Sequence, residues 1–173
     1  MGNIFGVRPG TESLPPVFMG SHADSGPNGG KYDGQLGVLC ALETIRTLID
    51  ARARTRHPVG MIVFTNEEGA RFQPAMIASG VMAGKIPLED AYNARDRDGL
   101  RLVDELERIG YRGEMEAKPH AFDAYVEFHI EQGYYLDRDG MQVGVVTGGF
   151  PITGMLVEFK GETAHTGPWP MER

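Results

Sequence analysis

A chain of 173 residues is long enough to bury one hydrophobic core. Its 41% hydrophobic and 24% charged residues are ordinary for a globular protein, and a net charge of -7 argues against a nucleic-acid partner, which needs basic surface. The single cysteine, Cys40, rules out an internal disulfide, and no apolar run approaches the ~20 residues of a membrane helix. The opening "MGNIFGVRPG" shows no basic region ahead of an apolar one, so no leader is read and a cytoplasmic location is expected, with no membrane partner.

Val17 to Gly20 reads as a short buried strand running into the glycine-rich stretch "GSHADSGPNGGKYDG", residues 20–34. The next segment repeats apolar residues at helical spacing: Leu36, Leu39, Cys40, Ala41, Leu42, Ile45, Leu48 and Ile49. Cys40 is expected to fill core on that face. Met61-Ile62-Val63-Phe64 is a continuous apolar run, which suits a strand covered on both sides. Strand, helix and strand in this order predict a βαβ unit with parallel strands.

Residues 70 to 110 read as mainly helical, with turns near Pro74, Pro87 and Gly99. Within them "LRLVDELERIG" is an amphipathic helix closed by Gly110. "AYVEFHIEQG" follows as a strand whose Tyr125, Glu127, His129 and Glu131 share one face. "MQVGVVTG" and "ITGMLVEFKG" read as two further strands, and the glycine-rich joint between them sets a domain boundary near Gly149. The expected domains are 1–149, bearing the site, and 150–173, the start of a second domain.

Three patches of acids and imidazoles fall at predicted strand ends: His22/Asp24/Asp33, Glu67/Glu68 and His129/Glu131. In open α/β sheets, sites form beyond the carboxyl ends of the strands, so distant segments can meet there. The ends after Met19, Phe64 and Phe128 are therefore expected side by side. Imidazole nitrogens and carboxylate oxygens are usual ligands of Zn²⁺, Mn²⁺ and Co²⁺. One carboxylate can bridge two ions, and a second, unligated one can take a proton from water. Glu67 and Glu68, as neighbours at a strand end, would supply one of each. Each patch also has a plainer reading. A lone His-Ala-Asp can be a simple turn, the adjacent glutamates can open a helix, and His129 can face solvent.

The blocks "GSHADSGPNGGKYDG", "TNEEGARF", "EFHIEQG" and "AHTGPWPMER" resemble the metal-dependent amidohydrolases of the M20 peptidase superfamily. These include N-carbamoyl-L-amino acid hydrolases, beta-ureidopropionases and allantoate amidohydrolases. The resemblance implies an α/β fold, a partial dinuclear aminopeptidase-like (phosphorylase/hydrolase-like) catalytic domain followed by the first strand of a lid domain. It implies hydrolysis of a linear ureido or amide C–N bond, with release of ammonia and carbon dioxide. The substrate would be a small ureido acid, and the intact form a homodimer.

By resemblance, His22, Asp33 and His129 match the ligands of one metal ion. Asp33 matches the carboxylate that bridges to a second ion, and Glu68 a further ligand of that ion. Glu67 matches the general base and Asp24 the carboxylate that orients His22. Gln132 matches a substrate-contacting side chain. His165 matches a histidine that reaches the substrate carbonyl, often from the partner subunit. Ser25 stands where many relatives carry threonine, and Trp169 is a departure from the last block.

The resemblance implies two divalent ions (Zn, Mn or Co) in the intact family, one of which this chain could hold. It also implies that the last histidine ligand and the residues gripping the substrate carboxylate belong to sequence beyond position 173. The alternative expectation is accordingly a fragment, catalytically incompetent alone, that keeps partial metal binding. Another is a peptidase of the same superfamily. Among the remaining residues, Arg71 is expected to pair with Glu67 or Glu68, Asn66 to steady its loop, and His57 and His120 to lie on the surface.

Overall fold

The computed structural model describes residues 1–117, 121–151, 154, 155 and 157–170. His120, Ile152, Thr153, Leu156 and the closing Met171-Glu172-Arg173 of the last block lie outside the described residues. The chain divides into two compact units, Met1–Gln132 and Gly133–Arg173.

The first unit is built on a four-stranded sheet. Its strands are β1 (Ile4–Arg8), β2 (Val17–His22), β3 (Val59–Phe64) and β4 (Ala124–Val126). Their order is β1-β3-β2-β4. β2 lies parallel to both β3 and β4, with Val17 opposite Val59 on one side and Ala124 on the other. β1 runs antiparallel to β3, from Ile4 opposite Val63 to Arg8 opposite Val59. Parallel neighbours put the carboxyl ends of β2, β3 and β4 on one edge of the sheet, where the three patches are carried.

The long helix α1 (Gln35–Asp50) crosses from β2 to β3 and packs on both. The predicted βαβ unit is therefore present. The helix buries Gly37 and Ala41, while Leu39, Leu42 and Ile49 of the apolar stripe stay exposed and Cys40 is half-buried. β2 and β3 approach closely at Gly20, where a Cβ would lie 1.9 Å from the Ile62 carbonyl oxygen. Any larger residue would push the two strands apart.

Residues 70 to 110 are less helical than their sequence suggests. They form three short helices, α2 (Ile77–Met82), α3 (Leu88–Asn93) and α4 (Leu102–Arg108). Gly84 and Gly99, both with positive φ, and the fixed φ of Pro87 keep the pieces separate. These helices enclose one apolar cluster, with Met1, Phe72, Ile77, Val81, Leu102 and Leu106 at its centre. A second cluster, Phe18, Ile62 and Met82, joins the sheet to α2. Burial of a side chain such as Ile62 or Ile77, both fully buried, stabilises by about 1.5–3 kcal/mol.

The strand read across "AYVEFHIEQG" is confined to Ala124–Val126. Backbone pairing with β2 stops at Met19 and Val126, and the link then passes to side chains. There the Ser21 hydroxyl donates to Glu127 Oε1 at 2.5 Å and the Tyr125 hydroxyl to Glu127 Oε2 at 3.0 Å.

The second unit holds one short helix, α5 (Tyr135–Arg138), with Tyr134 and Tyr135 stacked at 4.6 Å. Residues 141–148 and the described residues of 152–161 are not strands. Their alternating apolar residues satisfied the pattern of a strand, but a strand also needs a neighbour for its N–H and C=O groups. Val145, Val146, Phe150, Met155 and Phe159 of this unit are highly exposed.

Candidate metal centre

His22 ends β2 and is 2% exposed, although it lies beside a loop of glycines and polar residues. Its Nδ1 is 2.9 Å from the Asp24 carbonyl oxygen. A carbonyl only accepts, so Nδ1 carries the proton and Nε2 keeps its lone pair. Nε2 lies 3.8 Å from Asp33 Oδ1 and 3.6 Å from Glu67 Oε2. His129 repeats the arrangement. Its Nδ1 is 2.7 Å from the Ile130 carbonyl oxygen, and its Nε2 is 3.1 Å from the same Asp33 Oδ1.

Asp33 is buried just before α1, three strand ends and one helix start thus converging on it. One ligand atom each from His22, Asp33 and His129 lie within 4.8 Å of one another. Around a single tetrahedral ion with bonds of ~2.0–2.2 Å, such atoms stand about 3.3 Å apart. Two imidazoles with their tautomers already set and one carboxylate are a donor set that fits a divalent ion, and the separations require only small adjustments. Among the described residues this is the one such group.

The other residues singled out by sequence fall into place around it. The Asp24 carboxylate is 3.6 Å from His22 Nδ1, but its hydrogen bonds go elsewhere: it accepts from the backbone N–H groups of Glu67 (3.2 Å) and Glu68 (3.1 Å). It thereby ties the loop after β2 to the loop after β3. The Glu68 carboxylate accepts from the Gly26 N–H at 3.3 Å, a second tie between the same loops. Gln132, with positive φ, donates through Nε2 to Asp33 Oδ2 in a very short contact.

Glu67 holds its proton more tightly than an ordinary glutamate. Partial burial is the main cause, opposed by His22 and reinforced by the negative charges of Glu68, Asp24 and Glu127. Glu131 has interactions of its own and is not a member of the three-residue group. His165 belongs to the second unit. Its Nδ1 accepts from the Gly167 N–H at 3.1 Å, so in the neutral ring Nε2 carries the proton and can donate.

Arg71 does not pair with Glu67 or Glu68. Its guanidinium bridges Asp96 at 2.9 Å and Glu105 at 2.7 Å, so it anchors the loop to α4 instead. Asn66 does steady that loop, donating to the Phe72 carbonyl at 2.8 Å and accepting from the Phe72 N–H at 3.3 Å. His57, half-buried in the loop before β3, bonds the Pro15 carbonyl at 2.8 Å. Sequence reasoning missed Glu127 and Ser21. Their signal was present, since Tyr125, Glu127 and His129 alternate onto one face and Ser21 precedes His22.

The comparisons with known proteins place the chain in a family. A profile of peptidase family M20/M25/M40 matches residues 19–172. An N-carbamoyl-L-amino-acid amidohydrolase of Rhizobium meliloti is 48% identical over 99% of this chain and 42% of its own length. A ureidoglycolate hydrolase of Oryza sativa is 38% identical over 96% of this chain and 36% of its own. The crystal structure of a hydantoinase/carbamoylase family amidase from Burkholderia ambifaria superposes with a TM-score of 0.83 and 48% identity, over 86% of this chain and 36% of that one. The chain thus spans about two fifths of the length of the curated relatives it matches. With a mixed α/β sheet, a His-Asp-His group at the carboxyl ends of its parallel strands and a profile match over most of its length, the chain belongs to peptidase family M20/M25/M40.

Proposed function

We propose that this chain forms the metal-binding core of a hydrolase that cleaves a linear C–N bond in N-carbamoyl amino acids or related ureido acids. The observation that carries the reading is the convergence of His22 Nε2 and His129 Nε2 on one oxygen of Asp33, with Glu67 alongside. The names of the relatives supply the substrate class.

His22, Asp33 and His129 would hold one divalent ion, and Glu68 with Asp33 a second. A bound ion supplies Lewis acidity, lowering the pKa of water and polarising a carbonyl. Glu67 takes the proton of the attacking water; its raised pKa suits a group that must also return that proton. Glu67 then delivers the proton to the departing nitrogen. The two backbone carbonyls keep both imidazoles in the tautomer that leaves Nε2 available. Gln132 is proposed as a donor to the substrate, and His165, by the resemblance, as the donor to the carbonyl oxygen of a partner copy's substrate. The balance is one ureido group and one water giving one amine, one carbon dioxide and one ammonia.

The test is ammonia release from N-carbamoyl amino acids and ureidoglycolate with added Zn²⁺, Mn²⁺ or Co²⁺. It is run on this chain and on a version continued with the remaining sequence of a relative. Metal-dependent release that disappears in Asp33→Ala supports the reading. Release that ignores both metal and Asp33 contradicts it.

A further inference from the structure

We propose that Gly34 is the seat of the His22 imidazole: the missing side chain at position 34 lets the ring lie where Nε2 can reach Asp33. The proposal assigns Gly34 a positioning role through His22 and rests, for its consequence in metal binding, on the metal-centre reading above.

Gly34 is buried and stands immediately before the first residue of α1, with φ +83° and ψ −52°. A Cβ built there would lie 2.4 Å from His22 Cε1 and 2.5 Å from each ring nitrogen. Near-equal distances to Nδ1, Cε1 and Nε2 place that atom over the face of the ring. A point in the ring plane beyond Cε1 would be much farther from the nitrogens. Carbon atoms pack comfortably only at about 3.5–4.0 Å, so the ring would have to retreat by about 1 Å.

Retreat disturbs the contacts that hold the ring. His22 is 2% exposed, and its Nδ1 is held by the Asp24 carbonyl. Tilting the ring breaks that bond and turns Nε2 away from Asp33 and Glu67. The start of α1 thus carries two duties at adjacent residues: Asp33 provides a ligand oxygen and Gly34 the space for a ligand nitrogen.

Two separate demands fall on Gly34, the positive φ and the empty space, and removing the His22 ring separates them. Gly99 has φ +81°, and nothing lies within 4 Å of its would-be Cβ. Gly34→Ala and Gly99→Ala therefore share a positive φ, but only the first meets a ring.

The experiment compares wild type, Gly34→Ala, Gly99→Ala, His22→Ala and the double variant Gly34→Ala/His22→Ala, all first in metal-free form. Thermal melting is followed by circular dichroism. Carbethoxylation of His22 by diethyl pyrocarbonate is followed by mass spectrometry, with His57 as internal reference. Gly34→Ala is expected to melt about 5 °C below Gly99→Ala and to expose His22 to the reagent. In the His22→Ala background the same substitution should cost markedly less than it does in wild type, since the ring it meets is gone. This holds as a rescue even if Gly34→Ala alone does not fold.

An equal cost of Gly34→Ala with and without the His22 ring overturns the proposal. So does a folded Gly34→Ala protein whose His22 is as protected as in wild type. Titration with Co²⁺ or Zn²⁺ then tests the consequence: affinity should fall ~10–100-fold in Gly34→Ala and stay unchanged in Gly99→Ala. If wild type binds no metal, the metal-centre reading fails, while the ring-seat proposal is still decided by the melting cycle and the labelling.

Discussion

His22 and His129 present the same nitrogen to the same oxygen. In each ring Nδ1 is tied to a backbone carbonyl, and in each Nε2 faces Asp33 Oδ1, at 3.8 and 3.1 Å. The rings stand 6.3 Å apart, centre to centre, tilted by 34°. Two histidines more than a hundred positions apart face one oxygen because β2 and β4 lie beside one another and run in the same direction.

Glu67→Gln preserves size and removes the proton acceptor. Metal content should stay at the wild-type level, because the fitting group is His22, Asp33 and His129. Turnover of a ureido acid, measured in a version of the chain that is active, should fall by ~10²–10⁴-fold. Loss of metal instead would make Glu67 a ligand.

Asp24→Ala should loosen the loops rather than change the tautomer of His22. The His22 Nδ1 proton goes to the Asp24 backbone carbonyl, which the substitution keeps. The amide N–H groups of Glu67 and Glu68 lose their acceptor. A cost of about 1–2 kcal/mol is expected, moderated because the carboxylate is partly open to water. Faster hydrogen exchange at those two amides, with His22 still shielded from carbethoxylation, is the expected observation.

Glu105 governs part of the acid sensitivity. Its hydrogen bonds to Arg108 and then Arg71 hold its carboxyl down to about 2, from an ordinary 4.5. A depressed pKa contributes stability that is fully present above the unfolded value and is lost as pH falls through the folded one. Between about pH 4.5 and pH 2, the melting temperature of wild type should therefore drop more steeply than that of Glu105→Gln. Asp96, which shares Arg71, retains its partner in the variant. Parallel pH profiles for the two proteins would remove Glu105 from the account.

The sequence made the β2–α1–β3 unit legible because Met61 to Phe64 is continuously apolar and the helix repeats its apolar residues at the right interval. His22, Asp33 and His129 were legible as residue types at strand ends. β1 was not, because five residues, IFGVR, give no period long enough to read, and the strand is made by pairing with distant β3. Arg71 was misassigned to adjacent glutamates because its partners, Asp96 and Glu105, are brought near only by the packing of α4. The expected strands after residue 140 had the alternation but no partner among the described residues. The role of Gly34 was not legible, since a role that consists of absent atoms leaves nothing in the sequence pattern.

The central claim is that His22, Asp33 and His129 hold a divalent ion, and calorimetric titration of the metal-free chain with Zn²⁺ tests it most directly. The account predicts one site lined by two imidazole nitrogens and carboxylate oxygen, visible in the zinc X-ray absorption edge, with affinity reduced at least ~100-fold in Asp33→Ala and in His129→Ala. Absence of binding, or binding that survives both substitutions unchanged, would contradict it.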